Sequence, residues 1–374
     1  MAQTLKFGNK VWAAKEDSVL AYNDINNNYK PLPFDFARAS IGTRVNKEGL
    51  IETMGQDIAR IDYTDSADGV LLLEPASTNL LTQSNNNFVG NQVSISYNNA
   101  ISPTGENNAF KLTANGIDPF ISQNATTTST TFTLSVYAKG VGNTIGKVCN
   151  FFLIGDNYVQ AQQSSNFILT DQWKRFESTL TLSSAPSSYV QWRFDIPSVA
   201  EIGDETLVFG AQIEALSYPS SYIPTSGSTV TRAAETCNNS GNSEVFNDSE
   251  GVLFFDGSVF TTNESLCISV NDGGATGSGN RVELLWFSDG NFYTQVGNSS
   301  QEFISSNTFY NKILIKYGSG SYDLYVNGFR RITNTFTSLT GLVSLDFKRQ
   351  GSFTFKGKTK ELGYYDTALT DAEL

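Results

Sequence analysis

Hydrophobic and polar side chains alternate with a period of two along much of the chain. In residues 132–138 every second side chain, beginning with Phe132, is apolar, and those between, beginning with Thr133, are mainly polar. Residues 173–182 and 190–196 follow the same pattern. Because successive side chains of a strand point to opposite faces of a sheet, each segment can bury one face and expose the other. With little helical periodicity elsewhere, the pattern predicts an all-β fold of the sandwich type.

The last third of the chain carries a second series of short strand-like segments. Asn327-Gly328 between two of them is a hairpin signal, because both central positions of a tight turn take positive φ. Thr370 followed three residues later by Glu373 forms a capping box and predicts a helix start. The strand candidates are residues 252–255, 266–270, 282–287, 291–296, 312–317, 322–326, 342–347 and 359–364.

The first 35 residues read instead as an irregular arm with loop chemistry. Its apolar anchors are Leu5, Phe7, Val11 and Trp12. Such a segment must pack against something: its own downstream domain, a neighbouring subunit or a larger particle. The predicted divisions are an attachment arm at 1–35, a β-rich connecting module at 36–87, one sandwich at 88–232, a polar linker at 233–250 and a second sandwich at 251–374.

Composition excludes several kinds of chemistry. The 374 residues contain no histidine, which removes His general bases, Ser-His-Asp and Cys-His nucleophiles, and His-based zinc sites. Three well-separated cysteines, Cys149, Cys237 and Cys267, make no metal motif, and we expect them reduced and partly buried. No cofactor is expected.

Charge and hydropathy limit the partners. The net charge of −12 without a Lys/Arg-rich run disfavours nucleic acid. The apolar runs are too short for membrane insertion, and residues 1–17 lack the continuous apolar stretch of a secretory signal.

One ordered string of residues resembles a module common in phage tail and appendage proteins. It comprises Phe36-Ala-Arg38-Ala-Ser40, Val45-Asn46, Gly49-Leu-Ile-Glu52, Arg60-Ile-Asp62-Tyr63, Leu72-Leu-Glu74-Pro75 and Thr78-Asn79-Leu80. The polar members Arg38, Arg60, Asp62, Glu74 and Asn79 are interpreted as structural. A buried arginine–carboxylate pair is geometrically specific, so it would fix how the module seats on the following sandwich.

The two sandwiches carry resemblances of their own. Residues 209–214, 218–227 and 230–233 resemble the closing run of a carbohydrate-binding-module-like jelly roll. Tyr325-Val-Asn327-Gly328 and residues 361–365 with 368–374 resemble a laminin-G/concanavalin-A-like sandwich. These resemblances imply two tandem sandwiches, a jelly roll followed by a concanavalin-A/laminin-G-like domain, after the irregular arm.

The resemblances imply a non-enzymatic phage structural protein, a head fibre or tail fibre on the virion surface. It would be made in the host cytoplasm, attach to other virion proteins through the arm, form a homo-oligomer (a trimer is favoured) and bind host-surface or environmental glycans. A secreted bacterial carbohydrate-binding adhesin is the alternative, and a polysaccharide depolymerase is less favoured. The concanavalin-like hydrolases carry an E-x-D-x-x-E string, which is absent here.

Sugar binding by jelly rolls uses aromatic platforms with amides and acids for the hydroxyl groups. In residues 190–196, Gln191, Arg193 and Asp195 share the face opposite the apolar set, and Tyr137 of another strand is a candidate to join them. The alternative for these residues is a solvated sheet face or a subunit contact.

Two further kinds of site are candidates in the last third of the chain. Trp286 and Tyr293 flank a turn, where they form either a loop-borne sugar site or buried hairpin aromatics. Asp272 and Asp289 lie in loops with the hard oxygen ligands that calcium prefers, so a structural calcium ion is considered at each.

Overall fold

The period-two alternation forms strands in every part of the chain that is predicted to be a sandwich and is described by the structure. The computed structural model of the protein describes residues 4–23, 26–156, 158–196, 201–261, 264–274, 279–288, 291–303, 310–349 and 353–370. In these ranges the regular structure is β-strand, apart from one 3-10 helix at Gly142–Thr144. The all-β prediction is therefore confirmed. No helix in the described ranges is long and apolar enough to cross a membrane.

The strands are numbered here in chain order. The first twelve are β1 Leu5–Gly8, β2 Ala14–Lys15, β3 Ser18–Asn23, β4 Asn28–Ala37, β5 Gly42–Val45, β6 Ile51–Met54, β7 Arg60–Asp62, β8 Val70–Leu73, β9 Ser77–Asn79, β10 Val89–Asn91, β11 Val93–Ala100 and β12 Ala109–Ala114. The next ten are β13 Phe120–Ala125, β14 Thr131–Val141, β15 Val148–Gly155, β16 Gln160–Gln163, β17 Phe167–Ile168, β18 Lys174–Thr181, β19 Val190–Asp195, β20 Glu205–Glu214, β21 Val230–Arg232 and β22 Thr236–Asn238. The last ten are β23 Glu250–Val259, β24 Leu266–Asn271, β25 Arg281–Trp286, β26 Phe292–Val296, β27 Ser299–Phe303, β28 Tyr310–Gly318, β29 Ser321–Val326, β30 Phe329–Thr335, β31 Ser344–Asp346 and β32 Gly357–Tyr365.

The chain divides into two units, neither of which is continuous in sequence. Unit 1 contains Met1–Ile41, Met54–Pro75 and Ala234–Leu374. Unit 2 contains Gly42–Thr53 and Ala76–Ala233. The chain thus leaves unit 1 twice, and its last segment returns to complete that unit.

Unit 1 is built from two antiparallel sheets that share one hydrophobic core. The larger sheet runs β22-β4-β3-β1-β32-β23-β28-β29-β30, with β2 on β3 and the β7–β8 pair on β32. The smaller runs β27-β26-β25-β24-β31. Leu5 and Phe255 of the larger sheet and Leu284 and Trp286 of the smaller all belong to the core. The predicted hairpin turn at Asn327-Gly328 is confirmed, with φ of 52° and 82° joining β29 to β30.

Unit 2 is also a sandwich of two antiparallel sheets. One runs β10-β13-β19-β15-β16, with β17 on β15, and the other runs β11-β12-β20-β14-β18. Phe132, Phe151, Trp192 and Phe194 fill the core. A smaller cluster, in which Ile51 meets Phe209 and Tyr222, packs the β5–β6 hairpin within this unit.

The structure differs from the prediction for residues 1–35. They form β1 to β4 rather than an irregular arm, and β1 pairs with β32, placing Leu5 opposite Tyr364. Leu5 and Phe7 are the inward positions of a short alternating strand, as are Val19 and Ala21 in β3. Because the partner strand lies near the other end of the chain, local pattern alone gave no sign of this pairing.

The predicted connecting module and linker also divide differently. The module at 36–87 contributes its β5–β6 hairpin to unit 2 and its β7–β8 pair to unit 1. In the predicted linker, Thr236–Asn238 forms β22 against β4, and Cys237 and Phe246 enter the core of unit 1. All three cysteines are buried and reduced. The predicted helix beginning at Thr370 falls largely on residues 371–374, which lie outside the described residues.

Candidate functional site

The outward face of the β10-β13-β19-β15-β16 sheet of unit 2 centres on Arg193. In β19, Trp192 and Phe194 point into the core, so Arg193 between them points outward. Strand register places Ser122 of β13 and Phe152 of β15 on either side of Arg193. The alternation of β19 therefore builds this face, as the sequence predicts. We call it the Arg193 face.

The guanidinium of Arg193 contacts two carboxylates and a phenol. Its Nε donates to Asp195 Oδ1 at 2.5 Å and its Nη2 to Asp195 Oδ2 at 2.7 Å, a bidentate pair. Nη2 also donates to Asp118 Oδ1 at 3.3 Å, and Nη1 donates to the Tyr158 hydroxyl at 3.3 Å. Asp118 and Tyr158 come from turns, and both are more than half exposed.

Two phenylalanine rings hold the same guanidinium from the neighbouring strands. Its central carbon lies 3.6 Å from the ring centroid of Phe120 and 4.9 Å from that of Phe152. Burial alone would lower the pKa of Arg193, but the hydrogen bonds and charge of Asp195 outweigh it and raise that pKa. Burial raises the pKa of the Asp195 carboxyl, against the opposing effect of Arg193.

Amide side chains surround this centre. Gln191 Nε2 donates to Asn124 Oδ1 at 3.1 Å across the β19–β13 pair. On the other flank, Asn150 lies opposite Asp195 in register, and its amide oxygen accepts no hydrogen bond within the described structure. Rings, amides, a phenol and carboxylates thus meet on one partly exposed face, a combination that matches the C–H faces and hydroxyl groups of a sugar.

The structure brings Gln191, Arg193 and Asp195 together but leaves Tyr137 elsewhere. Tyr137 lies in β14 of the opposite sheet, 6.3 Å from the Phe209 ring by centroid, with Arg175 over its own ring. Outward positions on the two sheets of a sandwich point in opposite directions. Tyr137 therefore cannot join the Arg193 face, and its inclusion in the candidate cluster was wrong.

Trp286 and Tyr293 in unit 1 do not form a site either. Trp286 packs in the core against Phe255, Phe292 and Phe355, with ring centroids 5.3–5.7 Å apart. Tyr293 pairs with Leu285 and lies on the opposite face of the sheet, against Phe287. The buried-hairpin alternative is the one that the structure adopts for Trp286.

The proposed attachment residues are integral to unit 1. Leu5 and Phe7 are fully buried in its core. Trp12 is half-buried and donates from Nε1 to the carbonyl of Gly69 at 3.1 Å, and Val11 is half-buried beside it. Leu5 and Phe7 therefore cannot serve as docking anchors, because the inward face of a strand is not presented to a partner.

The geometry around Asp272 gives no support to a calcium site there. Asp272 accepts hydrogen bonds from the backbone N–H of Gly274 and from Asn280, so it closes its own turn. Asp289 lies outside the described residues. Within the described ranges, no group of three or more Asp, Glu or Cys side chains is placed to hold a metal ion.

The structural motif encloses a buried charge cluster. Arg60 lies between Glu74, at 2.7 Å, and Glu235, at 2.5 Å, and Arg38 contacts Glu235 at 2.8 Å, all with side chains 0–3 % exposed. Asp62 is buried beside this cluster and accepts from the N–H of Thr64.

The position of this cluster differs from the role predicted for the motif, which was to seat the module on the following sandwich. All its members belong to unit 1, so it joins the three segments of that unit instead of seating a module on the jelly roll. Glu235 was missed, because it lies in what the sequence indicated as a polar linker. Asn79 acts separately in unit 2, where its amide donates to the carbonyls of Ala211 and Ile223.

A cleft of about 540 Å³ in unit 1 is lined in part by Asp248, Glu250 and Phe336. Both acids are engaged: Asp248 accepts from the backbone of Gly341 and Leu342, and Glu250 accepts from the N–H of Ala368. These contacts hold the surrounding loops in place.

No protein family and no curated protein sequence matches the chain. Among solved structures, the CBM40 module of Ruminococcus gnavus IT-sialidase is similar over 36 % of this chain and 90 % of that one, at 18 % identity and a TM-score of 0.29. The CBM22-1-CBM22-2 tandem domain of Paenibacillus barcinonensis Xyn10C is similar over 80 % of this chain and 99 % of that one, at 11 % identity and a TM-score of 0.29. Trypanosoma rangeli sialidase is similar over 95 % of this chain and 64 % of that one, at 9 % identity and a TM-score of 0.30. TM-scores near 0.3 do not establish a common fold, so function is inferred from this chain's own side chains.

Proposed function

We propose that this protein is a non-enzymatic glycan-binding protein of a phage virion, a fibre or surface decoration that displays β-sandwich faces. The observation that carries the glycan-binding part is the Arg193 face. There, a guanidinium fixed by Asp195, Asp118 and two rings creates a rigid, partly exposed patch rich in hydrogen-bonding groups. Preorganised polar groups beside aromatic carbon are what sugar recognition requires, because little side-chain entropy is then lost on binding.

Sites of this shallow kind bind weakly, and repeated copies compensate. A homo-oligomer, with a trimer favoured, would present several Arg193 faces at once and gain avidity from a high effective concentration. The virion assignment is supported by the residue string of the appendage module between Phe36 and Leu80. The attachment surface is left open within this proposal, since Leu5 and Phe7 are buried.

The non-enzymatic assignment is supported by the sequence and by the site. A glycosidase places two carboxylates across one bond, with one to protonate the leaving oxygen. On the Arg193 face both carboxylates are instead bound to the same guanidinium. A secreted bacterial adhesin would use the same face for the same purpose, and the particle test below separates it from the virion protein.

Binding is tested on a glycan array with the full-length protein and three variants. Arg193→Ala removes the centre of the face, and Tyr158→Ala removes an exposed ring whose loss does not disturb the core. Phe329→Ala is the matched control, because it removes an aromatic ring in unit 1 that is about as exposed as that of Tyr158. We expect wild type and F329A to bind the same glycans and both face variants to lose at least about tenfold in affinity.

Equal binding by all four proteins would contradict the assignment of the site. Release of reducing ends from any bound glycan would contradict the non-enzymatic assignment.

The virion part is tested by cryo-microscopy and mass spectrometry of purified phage particles from the source culture. We expect the chain to be a stoichiometric particle component with density for its sandwiches on the outer surface. Its absence from particles, with secretion into the medium, would favour the bacterial adhesin.

A further inference from the structure

The Arg193 face is poor in positive charge. Its six strands contain one cationic residue, Arg193, and one acidic residue, Asp195. Asp118, in the turn before β13, brings a second carboxylate to the same guanidinium. Lys147, next to β15, is paired with Asp204 at 2.6 Å. The centre of the face therefore carries one positive and two negative charges.

Like the excess of negative charge, the hydrogen-bond geometry of Arg193 disfavours a carboxylate as the ligand. A guanidinium recognises a carboxylate through two parallel N–H groups on one edge. In Arg193 the Nε/Nη2 edge is taken by Asp195, and the second N–H of Nη2 goes to Asp118. Nη1 donates to Tyr158. One N–H of Nη1 is then left to donate, which suits a single hydroxyl or ring oxygen and not a bidentate carboxylate.

The two carboxylates add hydrogen-bond acceptors to the centre of the face. The carboxylates of Asp118 and Asp195 retain lone pairs beyond those that Arg193 uses. Sugar hydroxyls are donors that match such acceptors, whereas a sialic or uronic acid carboxylate is only an acceptor. Its charge would also meet Asp118 and Asp195 at close range.

We propose, building on the glycan-binding function above, that the Arg193 face selects neutral glycans and discriminates against glycans that carry a carboxylate. The net charge of −12 on the whole chain adds a repulsive field for polyanionic polysaccharides. Asp118 is a specificity-determining residue in this proposal, because it is exposed, sits at the rim of the face and supplies the excess negative charge.

The experiment uses the full-length protein on an array in which each neutral glycan is printed beside its counterpart bearing a terminal sialic or uronic acid. We expect the acidic member of each pair to bind about tenfold more weakly, because like charges across an interface are strongly disfavoured. Asp118→Asn should narrow this difference several-fold, measured as the ratio of the neutral to the acidic affinity of that same variant. Asp171→Asn removes the same charge from an exposed loop position of unit 2 outside this sheet and should leave the difference unchanged. For the wild-type protein, raising the salt concentration from ~0.05 M to ~0.5 M should narrow the difference in affinity between the neutral and acidic members, since exposed charges are screened.

Tighter binding of the acidic member, or a difference that neither Asp118→Asn nor salt alters, would overturn this inference and leave the glycan-binding function intact. Absence of binding to both members of every pair would overturn both. If Asp118→Asn alters the stability of unit 2, the salt series on wild type still decides, because it requires no substitution.

Discussion

At the scale of single residues, each unit contains an arginine bound to two carboxylates, and the two electrostatic settings differ. In unit 1 the cluster of Arg38, Arg60, Glu74 and Glu235 has equal numbers of positive and negative charges and is sealed from water. The charges of Glu74 and Glu235 outweigh the effect of burial and raise the pKa of Arg60 well above its usual value. In unit 2 Arg193 lies at a surface with two carboxylates. The first arrangement specifies a fold, and the second leaves acceptors for a ligand.

Glu235→Gln tests the energetic weight of the buried cluster. It keeps the shape of the side chain but leaves Arg38 and Arg60 with one carboxylate, that of Glu74, between them. Since an uncompensated buried charge is costly, we expect the free energy of unfolding to fall by about 3–5 kcal/mol in urea denaturation. Glu52→Gln, which breaks the half-exposed pair with Arg44 in unit 2, should cost at most about 1 kcal/mol. Equal effects of the two variants would mean that the buried cluster is not a specific contributor.

At the scale of strands, the alternation of apolar and polar residues predicted where most strands lie. The segments at 132–138, 173–182 and 190–196 became β14, β18 and β19, because alternation is a local property that survives any tertiary arrangement. The pairing of β1 with β32 was not predictable, since register between strands at opposite ends of a chain is set by tertiary packing. The short alternation of Leu5 and Phe7 indicates a strand but not the partner with which it pairs.

The difference between local alternation and long-range strand pairing also explains which residues of the candidate site were predicted and which were missed. Gln191, Arg193 and Asp195 follow one another on a single strand, so the sequence placed them on one face. Phe120 and Phe152 join them only because β13 and β15 flank β19 in the sheet order. Tyr137 was misplaced for the corresponding reason: β14 belongs to the other sheet, and no single strand reveals to which sheet it belongs.

Leu5→Ala tests whether the N-terminal strands are structural. Leu5 is fully buried between β3 and β32, so the substitution opens a cavity in the core of unit 1. We expect a loss of about 2–5 kcal/mol in the free energy of unfolding. Leu50→Ala, at a 38 % exposed leucine of the β5–β6 turn, should stay within about 0.5 kcal/mol of wild type. A Leu5→Ala protein as stable as Leu50→Ala would restore the attachment-arm interpretation.

At the scale of the whole molecule, the discontinuity of the two units decides which fragments can fold. Residues 42–233 contain every segment of unit 2. Residues 234–374 contain only part of unit 1: β32 loses its partners β1 and β8, and β22 loses β4. The second fragment also lacks Leu5, Phe34 and Leu71 from its core.

We therefore expect the 42–233 fragment to unfold cooperatively. The 234–374 fragment should lack a cooperative transition, although its residues 251–374 resemble a complete sandwich in sequence. A sheet cut along β32 exposes unpaired N–H and C=O groups and apolar side chains together, and the burial that offsets chain entropy is lost. Thermal denaturation followed by circular dichroism, with hydrogen exchange on the amides of β23 and β32, measures the difference. Protection of these amides in the 234–374 fragment comparable to that in the full chain would show that the N-terminal strands are dispensable, and would make an attachment role for them physically possible again.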